Sequence, residues 1–155
     1  DIVRYVDEFA GQTRLDETIR PAVQAWFDQV SKFYNHLVMP REVRLEPPLP
    51  EFATAEAIAY FVQKKEQNIG SFEQNLAETH TYLERIHIAL PELAALLGEQ
   101  PYLNGNAPGM EDIIIFPVLR NLTLVKGIVF PAKLQAYIER LSAESKVPLY
   151  SERAL

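Results

Sequence analysis

The run from Met110 to Val125 (Met-Glu-Asp-Ile-Ile-Ile-Phe-Pro-Val-Leu-Arg-Asn-Leu-Thr-Leu-Val) limits what this chain can fold into more than any other stretch. So apolar a segment has to be covered by other elements, yet it opens on two acids and carries a proline. Upstream, Asn104-Gly105 suits the positive-φ positions of a tight turn. Gly109 then reads as the N-cap of a helix and Asp112 as its N3 residue. A carboxylate there accepts from the N-cap N–H and meets the positive end of the helix dipole. Only half of a capping box is present, because Gly109 has no hydroxyl to return the bond; glycine at this position costs only a few tenths of a kcal/mol relative to Ser or Asp. Ile113, Phe116, Leu119 or Arg120, then Leu122 and Thr123 fall on successive turns. Ile114, Ile115 and Val118 make the helix apolar almost all round, which predicts a central, buried rod. Pro117 removes one backbone bond and predicts a kink, at roughly 3 kcal/mol unless the packing uses the bend.

The remaining periodicity is helical. Asp1 to Phe9 forms a short amphipathic helix with Ile2, Val3, Val6 and Phe9 on one side, ended by Ala10-Gly11. Gln12 to Arg20 is a polar linker, and Pro21 is placed as N1 of the next helix. Val23, Trp26, Phe27, Val30, Phe33, Tyr34, Leu37 and Val38 give the clearest 3-4 spacing in the chain and predict one helix closed by Pro40. Residues 40–53 hold Pro40, Pro47, Pro48 and Pro50 and read as an extended surface crossing. Thr54 is the N-cap of a helix to about Asn68, with Ile58, Phe61 and Val62 inward. Phe72, Leu76, Leu83, Ile86, Leu90, Leu93 and Leu97 then describe one helix bent at Pro91, or two meeting there, ending at Gly98. Pro131 is N1 of a last helix using Leu134, Ile138 and Leu141. No useful segment alternates with period two, so the class is all-α, a helical bundle. The expected organisation is a leftover helix at 1–11, a linker at 12–20, a helical domain at 21–147 and a tail at 148–155. The chain begins without Met, directly in helix-like sequence, which predicts that it is a segment of something longer.

Composition excludes several chemistries. A chain of 155 residues is long enough to bury roughly 68–70% of its unfolded surface without a staple. With no cysteine, the chain supplies no disulfide, thiolate metal site, iron–sulfur cluster or thiol nucleophile. A net charge of −6 and a pI near 5.1 argue against nucleic acid or an anionic membrane as partner. No apolar run approaches a membrane span and no signal peptide is visible.

The side chains offer no active site by themselves. His80, Glu84 and His87 share one helical face at metal-ligand spacing, but nothing near supplies a further ligand, and the reading is a solvated polar face. His36 lies near a helix C-terminus, where a cation suits the dipole. The serines stand in no nucleophile elbow, and no glycine-rich phosphate loop exists. Arg120, on an otherwise apolar helix, needs a partner, either across an interface or within this chain, since a buried unpaired charge costs several kcal/mol.

The central stretch resembles the C-terminal helical domain of the glutathione-transferase superfamily: Tyr102-Leu103-x-Gly105, then Asp112-Ile113, then Pro117 one turn on. Within that superfamily it is most similar to the glutaredoxin 2 family, the two-domain bacterial glutaredoxins. Asp1-Ile2-Val3-x-Tyr5-Val6-Asp7, Pro21-Ala22 with Trp26, Leu37-x-x-Pro40-Arg41 and Tyr60-Phe61-Val62-x-Lys64-Lys65-Glu66 carry this likeness. So do Gly70-x-Phe72 and above all the run from Phe116 to Val125. The family usually has Ser or Thr where Gly109 stands, and Arg20 precedes Pro21 in place of a good capping residue.

The resemblance implies an upstream thioredoxin-like domain with a Cys-Pro-Tyr-Cys motif. Residues 1–11 would then be a remnant of its last helix, and an exposed Ile2/Val6/Phe9 side would invite self-association. It further implies a cytoplasmic parent protein that uses glutathione to exchange disulfides, while this chain alone holds no cofactor and no metal and is inactive. The implied role is to pack on the upstream domain and shape one side of the glutathione site, with Arg41, Phe116, Arg120 and Asn121 at the interface; Gly109, Asp112 and Pro117 serve the fold. The alternatives are a non-catalytic protein-interaction module of glutathione-transferase-like fold and a free-standing helical small-molecule binder.

Overall fold

A computed structural model describes Tyr5, Phe9 and residues 15–155 of the chain. The expected helix at 1–11 therefore falls almost wholly outside the described residues, although Tyr5 and Phe9 are both strongly exposed. The described residues form seven α-helices: α1 (Pro21–Ser31), α2 (Tyr34–Glu42), α3 (Ala55–Ile69), α4 (Phe72–Ala77), α5 (Thr79–Leu97), α6 (Met110–Leu122) and α7 (Ala132–Ser145). Two single turns of 3-10 helix, Pro50–Phe52 and Ser151–Arg153, complete the order. Among the described residues there is no strand, only one isolated bridge between Tyr102 and Gly105. The chain is all-α.

One apolar core joins α1, α2, α5, α6 and α7. Val23, Leu37, Ile86, Leu90, Leu93, Ile115, Leu119, Leu122, Leu134 and Ile138 are completely buried in it. Full burial of such side chains contributes roughly 1.5–3 kcal/mol each against an exposed reference. The Trp26 indole packs in the same core, and its Nε1–H donates to the Ala89 carbonyl at 2.8 Å, so the polar tip is satisfied. Helix α2 touches α3, α4, α5 and α6, while α1 lies on α5, and α7 on both α5 and α6.

Three elements differ from the sequence expectation. The first long helix is interrupted at Lys32-Phe33, where Phe33 takes φ −141° and becomes the N-cap of α2. The break keeps Val30 and Phe33 both buried, with the Arg85 guanidinium 4.1 Å above the Phe33 ring. Pro40 does not close the helix, which runs on to Glu42. Secondly, the α4/α5 junction is at Glu78, not at Pro91, which sits inside α5 on its exposed side. Thirdly, α3 buries no residue: Ile58, Phe61 and Val62 are only half-covered. Thr54 caps it, its Oγ1 accepting from the Ala57 N–H at 3.2 Å.

The aperiodic C-terminal segment is nonetheless tied to the core. The Leu155 N–H donates to Leu124 O at 2.9 Å, Lys126 N–H to Leu155 O at 2.9 Å, and Tyr150 N–H to Thr123 Oγ1 at 2.8 Å. These bonds satisfy Leu124 O and Lys126 N–H just past α6, while the last helical carbonyls, those of Arg120, Asn121 and Leu122, accept from Thr123, Leu124 and Val125 N–H at 3.0 Å.

Candidate functional site

The polar chemistry of the molecule converges on the first turn of α6. Gly109 is the N-cap, and its N–H donates to Asp112 Oδ2 at 2.9 Å. Asp112 also accepts from Leu103 N–H at 2.8 Å, Asn104 N–H at 3.4 Å and the Tyr137 hydroxyl at 2.8 Å. One buried carboxylate thus ties the N-cap, the Tyr102–Gly105 turn and α7 together. Burial, and then the nearby charge of Asp112, hold the Tyr137 phenol far above its usual titration range, so it remains a donor.

The missing cap hydroxyl is replaced from a distance. Asn104 Oδ1 accepts from the Glu111 N–H, the N2 donor, at 2.9 Å, which is the bond an N-cap Ser or Thr side chain normally makes. This explains the glycine. A Cβ on residue 109 would lie 2.5 Å from Asn104 Cγ and 2.7 Å from its Oδ1. In the turn itself, Gly105 takes φ +116°, a conformation side chains rarely adopt.

Glu111 is the second buried carboxylate, with no solvent exposure. Arg20 covers it: the Arg20 main-chain N–H donates to Oε1 at 2.6 Å, Nε lies 3.0 Å from both oxygens, and Nη2 donates to Oε2 at 2.7 Å. The same guanidinium also reaches Leu96 O at 3.0 Å and Leu103 O at 2.9 Å. Its hydrogen bonds to Glu111 raise its own titration point further above the basic range. So the residue that looked like a poor cap for α1 is the hub between α1, α5 and α6. An open pocket of about 470 Å³ lies beside it, lined by Asp16, Thr18, Arg20, Gln100, Asn104 and Glu111 among others. Of its charged groups, Arg20 and Glu111 are paired with each other, and Asp16 accepts from the Thr18 N–H at 2.9 Å.

Of the four residues expected at an interdomain surface, Phe116, Arg120 and Asn121 share α6, whereas Arg41 belongs to α2. Arg41 is interior, 5% exposed, with Nη1 on Leu37 O at 2.7 Å, Nη2 on Thr79 Oγ1 at 2.9 Å and Nε on Leu155 O at 2.9 Å. Its donors serve this chain, and burial followed by the Arg44 charge lowers its titration point. Phe116, Arg120 and Asn121 lie half-exposed on α6. Arg120 finds its partners within the chain: Nε donates to Pro148 O at 2.8 Å, and the guanidinium stacks 4.1 Å over the Tyr150 ring. Close by, the half-buried Glu42 carboxyl is pushed above its usual range by burial and by Glu51, with Lys65 and Arg120 opposing.

Helix α6 is central but not covered all round. Ile113 is 47% exposed and Pro117 is exposed beside it one turn on. That placement makes the proline tolerable, because the carbonyl it leaves unbonded, that of Ile113, belongs to the open side of the helix. No group of His, Asp and Glu among the described residues could hold a metal ion. His87 Nε2 accepts from Val129 N–H at 3.0 Å, His80 contacts Thr81, and His36 stacks on Tyr82.

Sequence reasoning missed Arg20, Asn104, Glu111 and Tyr137. Two adjacent acids opening an otherwise apolar helix were the available signal, since neither can be buried without donors from elsewhere. The donors lie 91 and 25 residues away in sequence, beyond the reach of any local pattern.

Comparison with known proteins places this geometry. Residues 22–154 match the family model described as glutaredoxin 2, C terminal domain. Curated relatives named Glutaredoxin 2 from Escherichia coli strain K12 and from Escherichia coli O157:H7 are each 35% identical over 155 residues, which is all of this chain and 71% of theirs. The crystal structure of glutaredoxin 2 from Salmonella typhimurium in complex with glutathione superposes with a TM-score of 0.91 at 35% identity, covering 100% of this chain and 70% of that one. The chain belongs to the glutaredoxin 2 C-terminal domain family.

Proposed function

We propose that this chain is the helical domain of a glutathione-dependent thiol–disulfide oxidoreductase, and that it acts by packing against an upstream thioredoxin-like domain. The observation that carries the reading is its end-to-end match, without a single cysteine, to proteins named for glutaredoxin activity. In such a protein the exchanging thiol and the glutathione site would come from the other domain. The open side of α6, with Ile113, Phe116 and Pro117, is the docking face; Arg120 and Asn121 border it. Buried against a partner, these apolar side chains would wall one side of the glutathione site and limit which disulfides approach. Arg120, held by Pro148 and Tyr150, gives that border a fixed cation. Residues 12–20 are the linker and 21–147 the helical domain, with 148–155 a tail bonded back onto the chain just past α6, in a cytoplasmic protein; no described helix is long and apolar enough to cross a membrane.

The test has two arms. Alone, the chain turns over no mixed disulfide in a glutathione-coupled assay and shows no saturable glutathione binding by calorimetry. Mixed with the separately expressed thioredoxin-like domain of the Escherichia coli relative, it forms a complex that Ile113→Asp weakens. Turnover by the chain alone, or failure to bind that domain, would overturn the reading.

A further inference from the structure

Residues 15–20 lead into α1, and a linker of this polarity would ordinarily be a flexible tether. Here it is sewn to the loop that opens α6. Met110 N–H donates to Asp16 O at 2.8 Å, Asn104 Nδ2 donates to Thr18 O at 2.9 Å, and Arg20 joins Glu111 through its main chain and its guanidinium. The segment also stiffens itself, with Thr18 N–H on Asp16 Oδ1 at 2.9 Å. Every second residue of the segment is thus bonded to the α6 entrance. Asn104 is the hook with two ends, since its oxygen caps α6 at Glu111 while its nitrogen holds Thr18.

We propose that residues 16–20 are a rigid strap, and that Asn104, Glu111 and Arg20 are positioning residues that fix where and in which direction a preceding domain leaves the helical body. A free tether would let that domain swing, and the effective concentration of its docking face would fall with the length and looseness of the link. The strap removes that freedom before any interface forms. Asn104 suits the task because its amide offers a donor and an acceptor on one short planar group. An aspartate in its place would present oxygen to the Thr18 carbonyl and lose the donor. The positioning role rests on the function proposed above, but the strap does not.

The test uses the 155-residue chain itself. Hydrogen exchange followed by NMR should find the Arg20 and Met110 amides protected like those of core helices. Because the chain has no cysteine, Ile19→Cys gives a single nitroxide position, whose spectrum should show an immobilised label. Asn104→Asp should raise exchange of both amides by about tenfold, the effect of losing one net hydrogen bond, and release the label, while amides around Tyr137 in α7 keep their protection. Unprotected Arg20 and Met110 amides with a freely mobile label in the otherwise native chain would overturn the proposal, as would an Asn104→Asp variant that leaves both readouts unchanged. Either result leaves the proposed redox role standing, whereas glutathione turnover by the chain alone would sink that role and leave the strap.

Discussion

Glu111 has no exposure to solvent, and a carboxylate in that position is costly unless every lone pair is met. Arg20 meets both oxygens from a side chain that is itself 40% exposed, so desolvation falls mainly on the acid. A pair of this kind need not add to stability, but breaking it from one side is expensive. Arg20→Met, which strands the carboxylate, should therefore destabilise the chain by about 3 kcal/mol, the low end for a broken buried pair because Arg20 is partly wet. Arg20→Met combined with Glu111→Met should recover a substantial part of that loss. Urea denaturation of the single and double variants decides it; a double variant no better than Arg20→Met alone would show that the stranded charge is not the cause.

At the scale of the element, α6 illustrates how one local rule yields to a tertiary one. A hydroxyl at the N-cap is usually worth a few tenths of a kcal/mol over glycine, yet residue 109 is glycine because the Asn104 side chain occupies the space where a Cβ would go and makes the capping bond itself. Gly109→Ser should therefore destabilise, by about 1–3 kcal/mol, as overpacking does. In an Asn104→Gly background the same change should become neutral or stabilising, since the new hydroxyl can reach the vacated Glu111 N–H. The two substitutions should couple by more than about 1 kcal/mol in a double-mutant cycle of thermal unfolding, and simple additivity would refute the trans-cap. Pro117 follows the same logic: its position on the open side of α6 spares the buried side the lost bond.

At the scale of the whole molecule, the described surface leaves several large apolar groups uncovered, among them Phe9 at 84% exposure and Ile113 on α6. Single exposed apolar residues are ordinary, but Phe9 with the apolar pattern of residues 1–9 is a candidate contact. The chain should self-associate weakly as its concentration rises, and Phe9→Glu should shift the equilibrium to monomer in sedimentation velocity. A wild-type chain that stays monomeric at high concentration would remove this contact from consideration. Self-association through α6 instead would be recognised by its sensitivity to Ile113→Asp.

The sequence by itself determined the helical class, the turn at Asn104-Gly105, the Gly109 N-cap with Asp112 at N3, the Thr54 cap and the inward faces of α1, α5 and α7. Each of these is set by conformational preference or by spacing within a few turns of one helix, so neighbours in sequence contain the physics. Only the tertiary structure decided the break at Phe33, the interior place of Arg41, the open side of α6 and the convergence of Arg20, Asn104 and Tyr137 on Glu111 and Asp112. Those outcomes depend on which groups meet across the fold, and a buried carboxylate selects its donors by where the packed helices bring them.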